Sequence, residues 1–309
     1  MATRAAIGFL GFGEAAFHLT KGLREAGLRD FVAYDIHTHT PGRGEKIERR
    51  AQENEVRLLE SNAELAAATE WIWSTVTSDQ AAVAAGQTAP HLRERHIYAD
   101  FNSVSPAVKQ AIARTVSGAG ARFVEIAMMA PVPPYAHRVP ILAGGPHASE
   151  FQERFTRYDM RIQIASQEVG TAAATKMFRS IMVKGMEALI TECVLGAGRY
   201  GAEQAVFRSL AESYPSIDWP AMADYMIGRV VEHGERRARE MEEVAETLES
   251  IGIEPIMAAA TARRMDWSAH IGLKKHFGGE APKGYREFLE AVAEIESAAP
   301  AGKADGRKP

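Results

Sequence analysis

Between residue 4 and about residue 165, short apolar runs of strand length alternate with Ala-rich stretches of helical length. The succession is 5–10 then 14–26, 31–35 then 44–54, 71–76 then 79–91, and 96–101 then 105–116. Strands that each hand over to a helix cannot pair as hairpins, so the pattern predicts βαβ units and a parallel sheet with helices on both faces. Further strand candidates at 123–127, 141–143 and 161–165 extend that sheet and make it mostly parallel, the first two flanking Ala130-Pro131-Val132-Pro133-Pro134.

From Gly170 onward the period changes. Helical stretches are expected at 171–195, 201–212, 219–249, 254–263 and 284–297; in the third, Met241, Val244, Ala245, Leu248 and Ile251 recur at spacings of three and four before Gly252. The expected organisation is an α/β domain over 1–169, an all-α domain over 170–296, and a mobile tail over 297–309 whose small polar residues lack apolar periodicity. Helix 171–195 is strongly apolar and is expected to be buried. No repeat at a solenoid period is visible.

The first strand runs into Gly11-Phe12-Gly13-Glu14-Ala15-Ala16, a G-x-G-x-x-A turn that opens a helix. Gly11 suits a tight strand-to-helix turn, Gly13 lets a pyrophosphate approach the backbone, and Ala16 is small enough for helix and strand to pack closely. The helix-start N–H groups and the helix dipole favour an anion. Asp35 ends the second strand, near the offset at which a carboxylate accepts the adenosine ribose hydroxyls. Turn and acid together predict a Rossmann-type, doubly wound dinucleotide site. Asp35 would repel a 2′-phosphate, which favours NAD, while Arg43, Lys46, Arg49 and Arg50 could offset that repulsion and leave NADP open. S-adenosylmethionine-dependent methyltransferases share such a turn and acid, so the glycines alone do not decide the chemistry.

Charge narrows the partner. The 36 basic and 40 acidic residues leave a net charge of -4, so no global field favours nucleic acid or an anionic membrane, and a small-molecule substrate is expected. No uncharged apolar stretch of membrane-spanning length occurs, and the opening residues lack a signal-peptide pattern. A lone cysteine, Cys193, rules out an internal disulfide. These features predict a cytoplasmic protein. His37-Thr38-His39 has metal-like spacing but no third ligand close in sequence, so no metal is expected. The mixed-sign run 233–240 reads as a solvated helix face, and Trp71, Trp73, Trp219 and Trp267 as core or interface residues.

Four segments carry a resemblance to the β-hydroxyacid dehydrogenase superfamily, which includes 3-hydroxyisobutyrate and 6-phosphogluconate dehydrogenases. They are the Gly11 turn, the loop Thr75-Val76-Thr77-Ser78, the run Asp100-Phe101-Asn102-Ser103-Val104-Ser105-Pro106, and Val169-Gly170-Thr171-Ala172-Ala173-Ala174-Thr175-Lys176. The resemblance implies a nicotinamide-dependent oxidoreductase in which Lys176, six residues after its glycine, is the catalytic acid/base. It further implies that Asn102, Ser103 and Ser180 bind substrate, and that Gly11, Phe12, Gly13, Glu14, Asp35, Val76, Thr77 and Asn102 hold the cofactor. Lys176 also suits the role on chemical grounds, because a desolvated ammonium near a helix start surrenders its proton more readily.

The chain departs from the family pattern at three places. Ser180 stands where an Asn is usual, and Met128-Met129-Ala130-Pro131-Val132-Pro133-Pro134 replaces a Ser-Gly-Gly carboxylate-binding element, pointing to a larger or more apolar substrate. The late Lys-Asp pair reads as Arg239-Glu240, with Arg236 and His233 as equal candidates to face the substrate. The resemblance implies a homodimer formed through the helical domain. Two rival functions stay open, a catalytically silent dinucleotide-binding sensor and an imine reductase on the same scaffold, although relatives of the latter kind generally lack the lysine.

Overall fold

A computed structural model gives the structure of residues 5–298. The chain divides into two compact units, one ending at Lys176 and the other starting at Met177. The division falls inside a helix, seven residues beyond the expected boundary at 169.

The first unit is built on one eight-stranded sheet in the order β3-β2-β1-β4-β5-β6-β7-β8. Its elements are β1 (Ile7–Leu10), α1 (Glu14–Glu25), β2 (Phe31–Tyr34), α2 (Gly44–Glu53), β3 (Val56–Leu59), α3 (Asn62–Ala68), β4 (Trp71–Ser74), α4 (Ala81–Thr88), β5 (Ile97–Asp100), α5 (Pro106–Gly118), β6 (Arg122–Met128), β7 (Ile141–Gly144), α6 (Ala148–Thr156) and β8 (Ile162–Ser166). Every pairing is parallel except β6 with β7. This is the expected doubly wound, mostly parallel α/β architecture. The inner strands β1, β4 and β5 are buried at every residue, as helices on both faces require.

In this unit three elements lie where the sequence predicts none: β3, α3 and α6. α6 contributes Phe151 and Phe155, which close an aromatic cluster around Trp73. The Trp73 ring stacks on Phe101 with centroids 4.6 Å apart and meets Phe155 edge-on at 4.8 Å. Trp71 and Trp73 are thus core residues.

α7 (Thr171–Gly198) starts in the first unit and continues into the second, joined there by α8 (Glu203–Ser213), α9 (Trp219–Ser250), α10 (Ile256–His270), α11 (Leu273–His276) and α12 (Tyr285–Ala298). The second unit is all-α, as expected. Phe207, Ile227, Leu273 and Phe288 centre its core, and Gly234 admits α10 against α9, since a Cβ there would stand 2.8 Å from the Met265 carbonyl oxygen. The expectation of a buried α7 needs correction. Met182 and Leu189 are 66% and 58% exposed and Cys193 is exposed, because the chain covers only part of the helix circumference. Ser297 and Ala298 close α12 instead of opening a tail, and the rest of that expected tail lies outside the described residues.

Candidate functional site

The sheet order reverses at β1, whose neighbours are β2 and β4, and the strand ends around that point carry the residues singled out by sequence. In an open α/β sheet the crevice for a ligand opens at such a point. Gly11 has φ of +85°, and a Cβ would stand 2.9 Å from Val76 Cγ1 and 3.2 Å from the Thr75 carbonyl. The turn is also tied to both neighbouring strands: Gly11 N–H donates to the Tyr34 carbonyl at 2.8 Å, and the Thr75 hydroxyl donates to the Gly11 carbonyl at 2.6 Å. The structure therefore brings Gly11, Val76 and Asp35 into one neighbourhood.

Gly13 is different. It caps α1 in an extended conformation with no side-chain cap, and a Cβ there would meet nothing within 4 Å. Packing within the protein does not demand a glycine, and the N–H groups that open α1 are left for an anion. Glu14 opens the helix and Ala16 is wholly buried against the sheet. Asp35 accepts the Phe12 N–H on Oδ2 at 2.8 Å and the His37 N–H on Oδ1 at 2.9 Å, so the acid is locked beside the glycine turn. An open cradle at Gly13, an uncapped helix start and a fixed carboxylate fit a dinucleotide.

Beyond Asp35, Arg43 lies exposed with Nη1 3.2 Å from His37 Nε2, and Lys46 and Arg49 are exposed on α2. His39 pairs with Glu60 at 2.7 Å, which raises its imidazole above the ordinary value through the Glu60 hydrogen bond and charge. Among the described residues no three His, Cys, Asp or Glu side chains gather as metal ligands.

At the end of β5 a buried polar network supports the next segment. Asp100 is wholly buried and paired at 2.9 Å with Lys109 Nζ, which also donates to the carbonyls of Asp100 at 2.7 Å and Ile126 at 3.2 Å. The Asn102 amide group donates to Ser74 Oγ at 2.9 Å and to Asp100 Oδ1, while its own Oδ1 is buried without a hydrogen-bond partner. Asn102 thus faces the network with its donors and keeps one acceptor. Burial pushes the nearby Tyr98 phenol up, with the Asp100 charge acting in the same direction.

Ser103 follows, its carbonyl accepting from the Ser78 hydroxyl at 2.8 Å. The half-buried Lys176 reaches it, with Nζ donating to Ser103 Oγ at 3.1 Å. The fold brings together two residues 73 positions apart. Thr77 is exposed, and Ser180 is half-buried one turn beyond Lys176 on α7. In the segment after β6, Pro131, Pro133 and Pro134 have no N–H, Met129 donates to the Pro140 carbonyl at 2.8 Å, and Tyr135 and Ala136 both donate to the Val132 carbonyl. Few main-chain donors are left there for an anion.

In the second unit Arg239 is exposed and pairs with Glu242, and Arg236 pairs with Glu240. His233 is half-buried beside Glu232 at 3.5 Å, and burial lowers its imidazole. The buried guanidinium is Arg237, a residue sequence reasoning passed over, bonded to the buried Glu187. Burial pushes the Glu187 carboxyl up despite Arg237, Arg229 and Lys184 around it. Burial would also raise Glu240, but the hydrogen bond and charge of Lys184, 2.8 Å away, together with Arg236, hold it below the usual range.

Also missed were Lys109 and Glu125. A signal existed for each: Lys109 occupies an apolar-face position with Ile112 and Val116 on α5, and Glu125 interrupts the apolar run from Phe123 to Met128.

Comparison with known proteins adds independent support. Residues 6–102 match a family model described as NADP oxidoreductase coenzyme F420-dependent, and residues 197–268 match one described as a domain of unknown function (DUF1932). A conserved hypothetical protein from Sinorhizobium meliloti is 36% identical, over 95% of this chain and 97% of that one, with a TM-score of 0.83. A conserved protein of unknown function, described as structurally similar to 3-hydroxyacid dehydrogenases, is 30% identical over 89% of this chain and 99% of that one, with a TM-score of 0.75. The 3-hydroxyisobutyrate dehydrogenase of Mycobacterium tuberculosis, solved with L-serine, shares the fold at 14% identity, 94% and 99% coverage and a TM-score of 0.66.

Proposed function

Because the chain belongs to the β-hydroxyacid dehydrogenase-like superfamily, we propose that it is an oxidoreductase acting on a CH–OH group of a hydroxy acid or related alcohol, with NAD as the favoured cofactor. The observation that carries this reading is the 3.1 Å contact between Lys176 Nζ and Ser103 Oγ, which sets an amine beside a hydroxyl near the strand ends of the dinucleotide turn. When bound, the nicotinamide supplies the acceptor or donor of a hydride.

The protein's own residues handle the proton and the placement. In the oxidative direction neutral Lys176 takes the proton of the substrate hydroxyl, and in the reductive direction its ammonium gives one back. Ser103 accepts from Lys176 and turns its own hydroxyl proton toward the substrate oxygen, which holds that oxygen beside Nζ. Asn102, anchored through Ser74 and Asp100, sets the chain that carries Ser103 and so helps position the substrate, and Ser180 extends the same face of α7. The turn at Gly11, Phe12, Gly13 and Glu14 would hold the diphosphate and Asp35 the adenosine ribose, with Val76 and Thr77 as further cofactor contacts.

Lys176→Ala is the decisive variant. It removes the acid/base and should lower kcat about 10²–10⁴-fold, with cofactor affinity nearly unchanged because the glycine turn is elsewhere. Lys176→Arg should be comparably poor, since arginine keeps the charge but not a removable proton. The measurement is NADH formation over a panel of hydroxy acids and aryl alcohols, with NAD affinity by fluorescence titration. Retention of more than about a tenth of wild-type turnover in Lys176→Ala would remove Lys176 from the mechanism. Tight NAD binding with no turnover on any substrate would support a silent sensor instead.

A further inference from the structure

α7 carries Lys176, yet its first residue is preceded by Gly170, which has no side chain with which to cap it. Gly170 takes φ of +107°, and its carbonyl accepts the first helical bond, from Ala174 N–H at 2.8 Å. The capping group comes from 45 residues away. Glu125 Oε2 accepts the Gly170 N–H at 2.6 Å, and Glu125 Oε1 accepts the Ala173 N–H at 2.6 Å.

Glu125 is 0% exposed in the middle of β6. A carboxylate buried in a sheet is costly unless its charge is compensated. Here two charge-assisted bonds and the positive end of the α7 dipole compensate it. The site is shaped for it, since its register partner on β7 is Gly144, where a Cβ would stand 2.7 Å from Glu125 Oε2.

The geometry bears on Lys176 and Ser103 together. Lys176 follows Ala173 by three residues, about 4.5 Å along the helix axis. Ser103 follows β5, the strand paired with β6 at Asp100↔Glu125. One strand pair therefore holds both sides of the Lys176–Ser103 contact: β5 leads to the hydroxyl, and β6 pins the helix that brings the amine.

We propose that Glu125 is a positioning residue for the acid/base, fixing the start of α7 so that Lys176 Nζ meets Ser103 Oγ. The proposal rests on the reading of Lys176 as acid/base, and it assigns to Glu125 a role beyond stabilising a helix end. An ångström of misplacement at a reacting group can cost about 10²-fold in rate.

The test uses the full chain with three variants. Glu125→Gln keeps the size but sets an amide N–H against a backbone N–H. Glu125→Asp keeps the charge one methylene short, and Gly144→Ala displaces the carboxylate without altering it. The readouts are NAD affinity, kcat and KM, and the rate at which trinitrobenzenesulfonate labels Lys176, located by mass spectrometry and normalised to exposed Lys21.

Glu125→Gln and Gly144→Ala should bind NAD within about threefold of wild type, lose about 10- to 100-fold in kcat, and label Lys176 several-fold faster. Glu125→Asp should recover part of the kcat. Wild-type labelling and more than about a third of wild-type kcat in Glu125→Gln would overturn the proposal. So would a loss of activity that only tracks a loss of folded protein, with Lys176 in the folded fraction labelled as in wild type. If Glu125→Gln does not fold, the other two variants decide by the same readouts. If the wild type turns over no substrate, the acid/base reading fails by itself, while the labelling rates still decide whether Glu125 places Lys176.

Discussion

In the proposed site Asp35 would serve the protein and the cofactor with the same two oxygens. Each accepts one main-chain N–H, from Phe12 and His37. An ionised carboxylate has about four acceptor sites, so about two remain for ribose hydroxyls. Replacing it by alanine removes that acceptor and also the charge that repels a 2′-phosphate. Loss of a hydrogen bond to a charged group costs about 1.5–3 kcal/mol, so Asp35→Ala should weaken NAD by about 10- to 100-fold while NADP weakens far less. The Phe12 tie is lost as well, which loosens the turn for both cofactors. The ratio of the two dissociation constants, measured by fluorescence titration, isolates the recognition effect; tighter binding of NADP than NAD by the wild type would reject this role for Asp35. That Gly11, Gly13 and Asp35 lie together at one turn was legible in sequence because it follows from short-range spacing within one βαβ unit. Glu125 and Lys109 were not, because each acts across a strand or between a helix and the sheet, and spacing along the chain does not reveal such partners.

At the level of elements, the segment between β6 and β7 packs on α1 through His137 and Ala136. His137 is buried, neither ring nitrogen has a hydrogen-bond partner, and burial lowers its pKa from the ordinary 6.5. The ring fills the place of a side chain at Gly22, where a Cβ would fall on His137 Nδ1. A group whose pKa is lower folded than unfolded contributes stability above pH 6.5 that is lost as the pH falls below it. Thermal unfolding should therefore occur at progressively lower temperature from pH 7 to pH 5, and the slope should be shallower in His137→Leu. His96 and His233, also lowered by burial, add to the wild-type slope. Gly22→Ala tests the packing separately. Alanine gains about 1 kcal/mol of helix propensity, but forcing a methyl onto a buried ring costs about 1–3 kcal/mol, so the substitution should destabilise. In a His137→Ala background the overlap with the ring is gone and the Ala136 Cβ at 3.0 Å remains, so Gly22→Ala should cost much less there; an equal loss in both backgrounds would refute the fit. The missed elements have related causes. β3 carries Arg57 between its apolar residues and has a partner on one side only, so it is short and weakly patterned. α6 is nine residues long, and its mean polarity hides Phe151 and Phe155, which acquire meaning only against Trp71 and Trp73.

At the scale of the whole molecule, exposed apolar surface is unevenly divided. Among the described residues the large exposed hydrophobics of the first unit are Ile36, Val83 and Tyr135, whereas the smaller second unit has Met182, Leu189, Tyr200, Tyr214, Tyr225, Ile251, Ile253, Ile256 and Met257. Single exposed apolar residues are ordinary on a protein surface, but Ile251, Ile253, Ile256 and Met257 fall within seven consecutive positions, each more than half exposed. A helical unit that leaves this much apolar surface on one chain is expected to cover it with a second copy. Self-association through the second unit would bury α7 further, as its apolar sequence predicts. The expected outcome is a homodimer at micromolar concentration, with twice the 33.7 kDa mass in light scattering. Leu189→Glu and Met257→Glu check the route. Both side chains are exposed in the single chain, so a charge there should alter its own stability by no more than about 0.5 kcal/mol. The same charge placed in a dimer interface would be desolvated without a partner and should shift the mass toward the monomer. Dissociation by either variant, with unfolding of the separated chain unchanged, locates the interface on that residue's surface. A wild-type protein that stays monomeric at micromolar concentration would reject self-association through the second unit.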